Sequence, residues 1–262
     1  MTDQLDPVVD VSVLDNPVWW SLTGPHAGFA LPSGDEVSSD AVRSRAVRSG
    51  AVRSGAVLSR AVRYRGDVAV FGGLADENDP TAWADLSRIN GPDERVVTVG
   101  VGPPPADWDV VADVPGVQFD GSALTGAPDA EAVPLGRSDV PEMLDLVRRT
   151  EPGPFADRTV ELGTYLGIRR NGVLAAMAGE RMHPPGWTEI SAVCTDPAFR
   201  GQGLASRLVS AIVAGIRERG ERPFLHTSAT NTTAIRLYET LGFILRREMS
   251  FRVIRPVPGT SP

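Results

Sequence analysis

The stretch AVCTDPAFRGQGLASRL, Ala192 to Leu208, constrains this chain more than any other. An apolar run ends at Asp196-Pro197. Arg200-Gly201-Gln202-Gly203 follows, and from Leu204 onward apolar residues recur at helical spacing. The first amides of a helix have no partner inside it. Glycines let an anion come close to those amides, and the helix dipole favours negative charge there by about 0.3–2 kcal/mol. The layout suits a main-chain cradle for phosphate, with Arg200 adding a direct charge contact. A dinucleotide-binding turn fits poorly, because Asp196 to Arg200 separate the strand from the first glycine. A Walker loop is excluded, since all 26 basic residues are arginine.

The 262 residues divide into two stretches of different character. In the first, Ala41 to Arg65 reads as five near-copies of a five-residue unit carrying seven arginines and no acid. Five residues turn about 500° along a helix, so the copies trace no single face. The segment is read as a solvated expansion rather than an RNA patch, given a net charge of -7. Asp67–Phe71 and Arg95–Val101 read as strands, DWDVV (107–111) as another, and Pro80 opens a short helix capped by Asp79. Asp120–Ala132, rich in Gly, Ala and Pro, reads as a linker. The expected organisation is an N-terminal α/β lobe, 1–128, and a second domain, 129–258. Beyond the linker the rhythm is regular. A helix follows Ser138, two strands join at Asn171-Gly172, and WTEISAVCT forms a strand. A helix from Leu204 is closed by Gly220, PFLHT forms a strand, a helix ends at Gly242, and a last strand follows.

The segment NTTAIRLYETLGF carries the second motif. Asn231 and Tyr238 are seven residues apart, which brings them to nearly the same helix face. With the cradle and with ERM…WTEISAVCTDP, the pattern resembles the GCN5-related N-acetyltransferase (GNAT) family, particularly its FR47-like branch, over about residues 132–254. The loop pattern of that family is met by Arg200, Gly203 and Ala205. The resemblance implies an α+β fold: a central mixed, mostly antiparallel twisted sheet with two splayed parallel strands, flanked by helices. It implies acetyl-coenzyme A as acyl donor, with no metal, and a small-molecule or exposed amine as acceptor, attacked directly in a ternary complex. By position, Val193 and Thr195 pair with the pantetheine arm through main-chain groups. Arg200, Gly201, Gln202, Gly203, Leu204, Ala205 and Ser206 hold the pyrophosphate, Asn231 bonds the arm, and Tyr238 is the general acid. The first stretch is compatible with a degenerate acetyltransferase-like half that lacks a cradle.

Glu189, on the strand leading to the cradle, is the candidate general base; the alternative is a strand residue bonded to an arginine. Glu180 and His226 are further candidates, and His183 is expected to be exposed in its turn. Cys194, the single cysteine, is expected to be a buried hydrophobe rather than a nucleophile. The acidic balance argues against nucleic acid, and no apolar segment is long enough to span a bilayer. A start without a basic, apolar leader and a lone cysteine point to the cytoplasm, and a homo-oligomer is left open. A non-catalytic acyl-coenzyme A sensor is the alternative to an enzyme, and the pairing of Asn231 with Tyr238 favours the enzyme.

Overall fold

The computed structural model describes residues 9–31 and 59–257. Residues 41–58 of the arginine-rich repeat lie outside the described residues. The last copy of the repeat supplies β1 (Ala61–Arg63), which pairs antiparallel with β2 (Gly72–Leu74). The remaining strands are β3 (Val96–Val99), β4 (Trp108–Asp120), β5 (Val133–Pro134), β6 (Tyr165–Arg170), β7 (Val173–Glu180), β8 (Trp187–Thr195), β9 (Arg222–Ser228) and β10 (Ile244–Pro256). They form one eight-stranded sheet in the order β3-β10-β4-β9-β8-β7-β6-β5. Its neighbours are antiparallel except β8 and β9, which run parallel. The mixed, mostly antiparallel sheet is the one expected.

Local chemistry explains the elements that position the site. The β6–β7 hairpin turns on Asn171 (φ 51°) and Gly172 (φ 82°), the two positive φ values that a type I′ turn requires. Between β8 and β9 the parallel connection runs through α4 (Leu204–Glu218). Its buried stripe of Leu204, Leu208, Val209, Ile212, Val213 and Ile216 packs on Ala176, Ala178 and Ile190 of the sheet. Each such fully buried side chain contributes about 1.5–3 kcal/mol. On the opposite face α3 (Val140–Thr150) buries Met143 and Leu146 against Leu174, Met177 and Cys194. Two further helices, α1 (Pro17–Leu22) and α2 (Pro80–Asn90), pack on β1, β2 and β3. The Asp79 side chain caps α2 by accepting from Thr81 N at 2.9 Å, as its place before Pro80 suggested. The last helix, α5 (Thr232–Leu241), leads into β10. Among the described residues no helix is long and apolar enough to cross a membrane.

Three expectations shift. Residues 66–68 form a turn rather than a strand, and only Phe71 of Asp67–Phe71 bridges to another strand, at Val97. Gly66-Asp67 outweighs the β-branched residues after it. The strand expected at 107–111 continues to Asp120, passing through Pro115. Pro115 O accepts from Ala229 N just where β9 gives out, so the missing Pro115 N–H breaks no ladder bond there. The expected linker lies against α4: Ala127 N donates to Ser210 O at 3.2 Å. A Cβ on Gly126 (φ 65°) would come within 2.4 Å of that carbonyl, so only glycine fits.

The boundary expected near residue 128 falls inside the sheet. β3 and β4 precede it, yet β4 is inserted between β9 and β10 and registers with β10 from Trp108↔Pro256 to Asp120↔Ile244. Residues before 129 therefore share this sheet with those after it. A fragment spanning 129–258 would leave β9 and β10 with open edges in the middle of the sheet. It is expected to show no cooperative thermal transition by circular dichroism, whereas the full chain melts cooperatively; a cooperative melt of the fragment would contradict this account.

Candidate active site

The site begins where the parallel ladder stops. β8 and β9 pair from Trp187↔Arg222 to Ile190↔Leu225 and no further. Beyond Ile190, β8 follows β7, with a register shift opposite Met177–Gly179, and Ala192 takes φ 53°. A positive φ at a non-glycine residue is uncommon and costs on the order of 1 kcal/mol, and here it marks the bulge that turns β8 away. β9 continues instead along β4, from Leu225↔Phe119 to Ser228↔Gly116. A cavity of about 380 Å³ opens in the wedge, lined by Ala192 and Val193 of β8, His226 and Ser228 of β9, and Asn231 and Tyr238 at α5.

The glycine loop has the form its sequence suggested. Gly201 (φ 78°) and Gly203 (φ 70°, the N-cap of α4) both occupy the left-handed region, and a Cβ on either would meet nothing within 4 Å. Their role is backbone conformation and open access, not close packing. Among the described residues the amides of 202–206 find no acceptor, while Arg207 N donates to Gly203 O at 3.1 Å. Gln202 is exposed, Ala205 and Ser206 are half-buried, and the Leu204 side chain is in the core, so Leu204 offers the site only its main chain. Arg200 is exposed, with Nε 3.4 Å from Thr195 O. Asp196 braces the turn by accepting from Ala198 N at 2.8 Å and by pairing with Arg149. The Thr195 hydroxyl is buried, with no partner among the described residues.

On α5, Asn231 is the N-cap, and its Oδ1 accepts from Ala234 N at 3.1 Å. The cap uses one lone pair of that oxygen, and Nδ2 has no hydrogen bond among the described residues. Tyr238 is buried, with its ring packed near Phe119 and Phe243, and its hydroxyl has no hydrogen bond among the described residues. Burial, with Cys194 and Glu189 nearby, pushes its pKa up to about 12. The phenol therefore stays protonated across the neutral range. Cys194 is buried on the α3 face, and burial pushes its thiol up to about 11, which leaves no thiolate for nucleophilic attack.

Glu189 does not stand free as a base. Its side chain is fully buried, and both oxygens are taken by Arg181: Nε at 2.8 Å and an Nη at 2.6 Å. His226 Nδ1 lies 2.7 Å from the same carboxylate. Burial alone would raise the Glu189 pKa, but the Arg181 charge and hydrogen bonds from Arg181 and His226 hold it at about 2. A carboxylate so firmly ionised and so fully engaged is a poor proton acceptor. The bonded alternative is the one the structure adopts. The same network fixes His226. Arg246 donates to Gln118 Oε1 at 2.7 Å, so Gln118 Nε2 faces Leu14 O at 2.8 Å and His226 Nε2 at 2.9 Å. His226 Nε2 must then accept, and Nδ1–H points at Glu189. Glu180 is likewise engaged, accepting from Arg219 at 2.8 Å and Thr164 N at 2.9 Å, and it is not among the residues lining the cavity. His183 is half-buried rather than exposed, with its ring 4.7 Å from that of His26, and burial lowers its pKa.

Comparison with known proteins follows the same outline. Residues 165–253, from β6 into β10, match the FR47-like protein family model. The N-alpha-acetyltransferase RimI of Mycobacterium tuberculosis is 30% identical over 129 residues, which is 44% of this chain and 80% of that protein. A GNAT-family acetyltransferase of known crystal structure, from Novosphingobium aromaticivorans, is 37% identical with a TM-score of 0.76, covering 93% of this chain and 98% of that one. This chain belongs to the GNAT family. A mycothiol acetyltransferase from Thermobispora bispora is 45% identical over 56 residues, but the match spans only 21% of this chain and 19% of that protein.

This GNAT acetyltransferase builds part of its cavity from residues the sequence motifs did not single out. Phe71, Val97 and Val114 precede the matched region and form a wall with Phe251 and Val253 of β10. Arg181 lies under Phe71, with its guanidinium carbon 4.7 Å from the ring centroid. The signal for Arg181 was present as an opposite charge facing Glu189 across the His-Pro-Pro-Gly turn, where Arg181 N donates to Glu189 O at 3.0 Å. Only the register turns that pair into a salt bridge. Glu189→Gln would leave the Arg181 charge buried and unpaired, and is expected to cost about 3–5 kcal/mol. The native carboxyl is depressed from its ordinary 4.5 to about 2, so its stabilisation is complete above about pH 4.5 and is lost as the pH falls toward 2. Thermal melts between pH 6 and pH 2.5 should show that loss in the native chain and a flatter acid dependence in the variant.

Proposed function

We propose that this GNAT enzyme transfers an acetyl group from acetyl-coenzyme A to a primary amine, by direct attack of the amine in a ternary complex. The observation that carries the proposal is the unpartnered Tyr238 hydroxyl, which belongs to a tyrosine lining the wedge between β8 and β9. Open space at Gly201 and Gly203 and the free amides of 202–206 fit a pyrophosphate. Hydrogen bonds from amides to a charged group contribute roughly 1.5–3 kcal/mol each, so several of them hold a diphosphate without a metal. Arg200 adds a charge at the rim. Past Ile190, β8 no longer pairs with β9, so Val193 and Thr195 can receive an extended arm through main-chain groups as an added strand would be received. When bound, the coenzyme supplies the thioester carbonyl and a thiolate leaving group.

Tyr238 then does what its surroundings prepare it for. A phenol held protonated donates to the departing sulfur and recovers its proton from solvent. Orientation of the amine against the thioester accounts for roughly 7–11 kcal/mol of the barrier, more than any single proton transfer. The name of one relative, an N-alpha-acetyltransferase, supports an amine acceptor in this chain.

Two variants test the proposal by titration calorimetry with coenzyme A and by thiol release over an amine panel. Tyr238→Phe is expected to lower turnover by about 10²-fold or more with coenzyme A affinity unchanged. Gly203→Val, forced into a left-handed conformation at the cradle, is expected to weaken coenzyme A binding. Undiminished turnover in Tyr238→Phe across the pH range would remove Tyr238 from the reaction.

A further inference from the structure

The ionisable side chains lining the cavity are Glu151, Arg181, His226 and Tyr238. Arg181 and His226 are both engaged with Glu189. Glu151 is different. Its carboxylate forms no ion pair or hydrogen bond among the described residues, although two arginines precede it closely in the chain. Arg148 and Arg149 both pair with Asp145, and Arg149 also pairs with Asp196. Glu151 is thus the cavity's uncommitted negative charge, standing exposed at its mouth.

Its backbone is also unusual. Glu151 ends α3 in the left-handed conformation (φ 48°, ψ 52°), with its N–H donated to Val147 O at 2.8 Å. Glycine or asparagine usually takes that position, and the following Pro152 fixes the direction in which the chain leaves. A glutamate kept in such a conformation at the lip of a cavity is held there by the surrounding structure. The same cavity is lined by Phe71, Val97, Val114, Phe251 and Val253, an apolar wall whose own side chains carry no charge.

Resting on the acetyltransferase proposal above, we infer that the acceptor is a small primary amine with an apolar body, its ammonium received by Glu151 and its body packed on the Phe71–Val114–Phe251 wall. The ammonium gives one proton to the Glu151 carboxylate, and the free amine attacks the thioester carbonyl. The new C–N bond forms as the C–S bond breaks, and the thiolate takes the proton of Tyr238. The acylated nitrogen then gives its second proton to Glu151, which releases each proton to solvent in turn, and Tyr238 is reprotonated from solvent.

The test measures thiol release from acetyl-coenzyme A with three acceptors: phenethylamine, glucosamine and a hexapeptide with a free α-amine. Phenethylamine is expected to exceed the other two in kcat/KM by about 10-fold or more. Glu151→Gln is expected to lower its kcat/KM by about 10²-fold, and Glu151→Asp to restore most of it. Val114→Asp, at a position 40% exposed and so tolerant of the change, is expected to raise KM for phenethylamine and not for glucosamine. Titration with coenzyme A separates the two levels of failure. Intact coenzyme A binding with glucosamine or the peptide preferred, or with Glu151→Gln within about threefold of the native enzyme, overturns this inference alone. Absence of coenzyme A binding overturns it together with the function on which it rests.

Discussion

The parting of β8 from β9 after Ile190 and Leu225 is the constraint on which the rest of the molecule depends. Two parallel strands that stayed paired would leave no room in the sheet for a substrate. Each strand is therefore drawn to a different neighbour. The Ala192 bulge hands β8 to β7, and β4 captures β9. A line of hydrogen bonds runs across the sheet at the root of the wedge, from Arg181 to Glu189, His226, Gln118, Arg246 and Asp15. It joins the end of β7 to β8, β9, β4 and β10 in turn. Both carboxylate oxygens of Glu189, both ring nitrogens of His226 and both amide atoms of Gln118 have partners, the condition under which a buried polar network rigidifies rather than weakens a core.

The network also divides the chemistry of the site. The groups that look most reactive in the sequence, Glu189 and His226, are consumed in holding the wedge open. Among the ionisable side chains lining the cavity, those with no hydrogen bond or ion pair among the described residues are the tyrosine hydroxyl inside it and the carboxylate at its lip. In the proposed reaction, commitment to partners, more than residue type, sorts scaffold from reagent.

Much of this was legible in the sequence, for local reasons. The limits of β8, the Asn171-Gly172 turn, the Asp79 cap and the glycine loop each follow from a few adjacent residues. Asn231 carried a local signal too, since a residue of that type before Thr232 is a natural helix cap, and its Oδ1 takes that duty. What stayed hidden is nonlocal. Arg181 stands close to Glu189 across the Pro-Pro-Gly turn, but whether the two charges close a salt bridge depends on the register in which the two strands meet. Nothing in DWDVVADVPGVQFD announces a central strand, and its proline argues for an edge; the proline is accommodated because β9 ends beside it. The apolar wall is assembled from Phe71, Val97, Val114 and Phe251, residues too far apart in the chain to form any motif.

The placement of β4 sets a timetable for the chain. During synthesis Trp108–Asp120 leaves the ribosome well before Arg222–Ser228 and Ile244–Pro256, the strands on either side of it. For that interval a valine-rich segment must stay unpaired in solution, and the last strand made is one it needs. Such distant pairings carry a large loop-closure entropy and slow the final collapse. Pro115 and the aspartates at 109 and 113 interrupt the segment while it waits, which lowers its tendency to stick to other nascent chains.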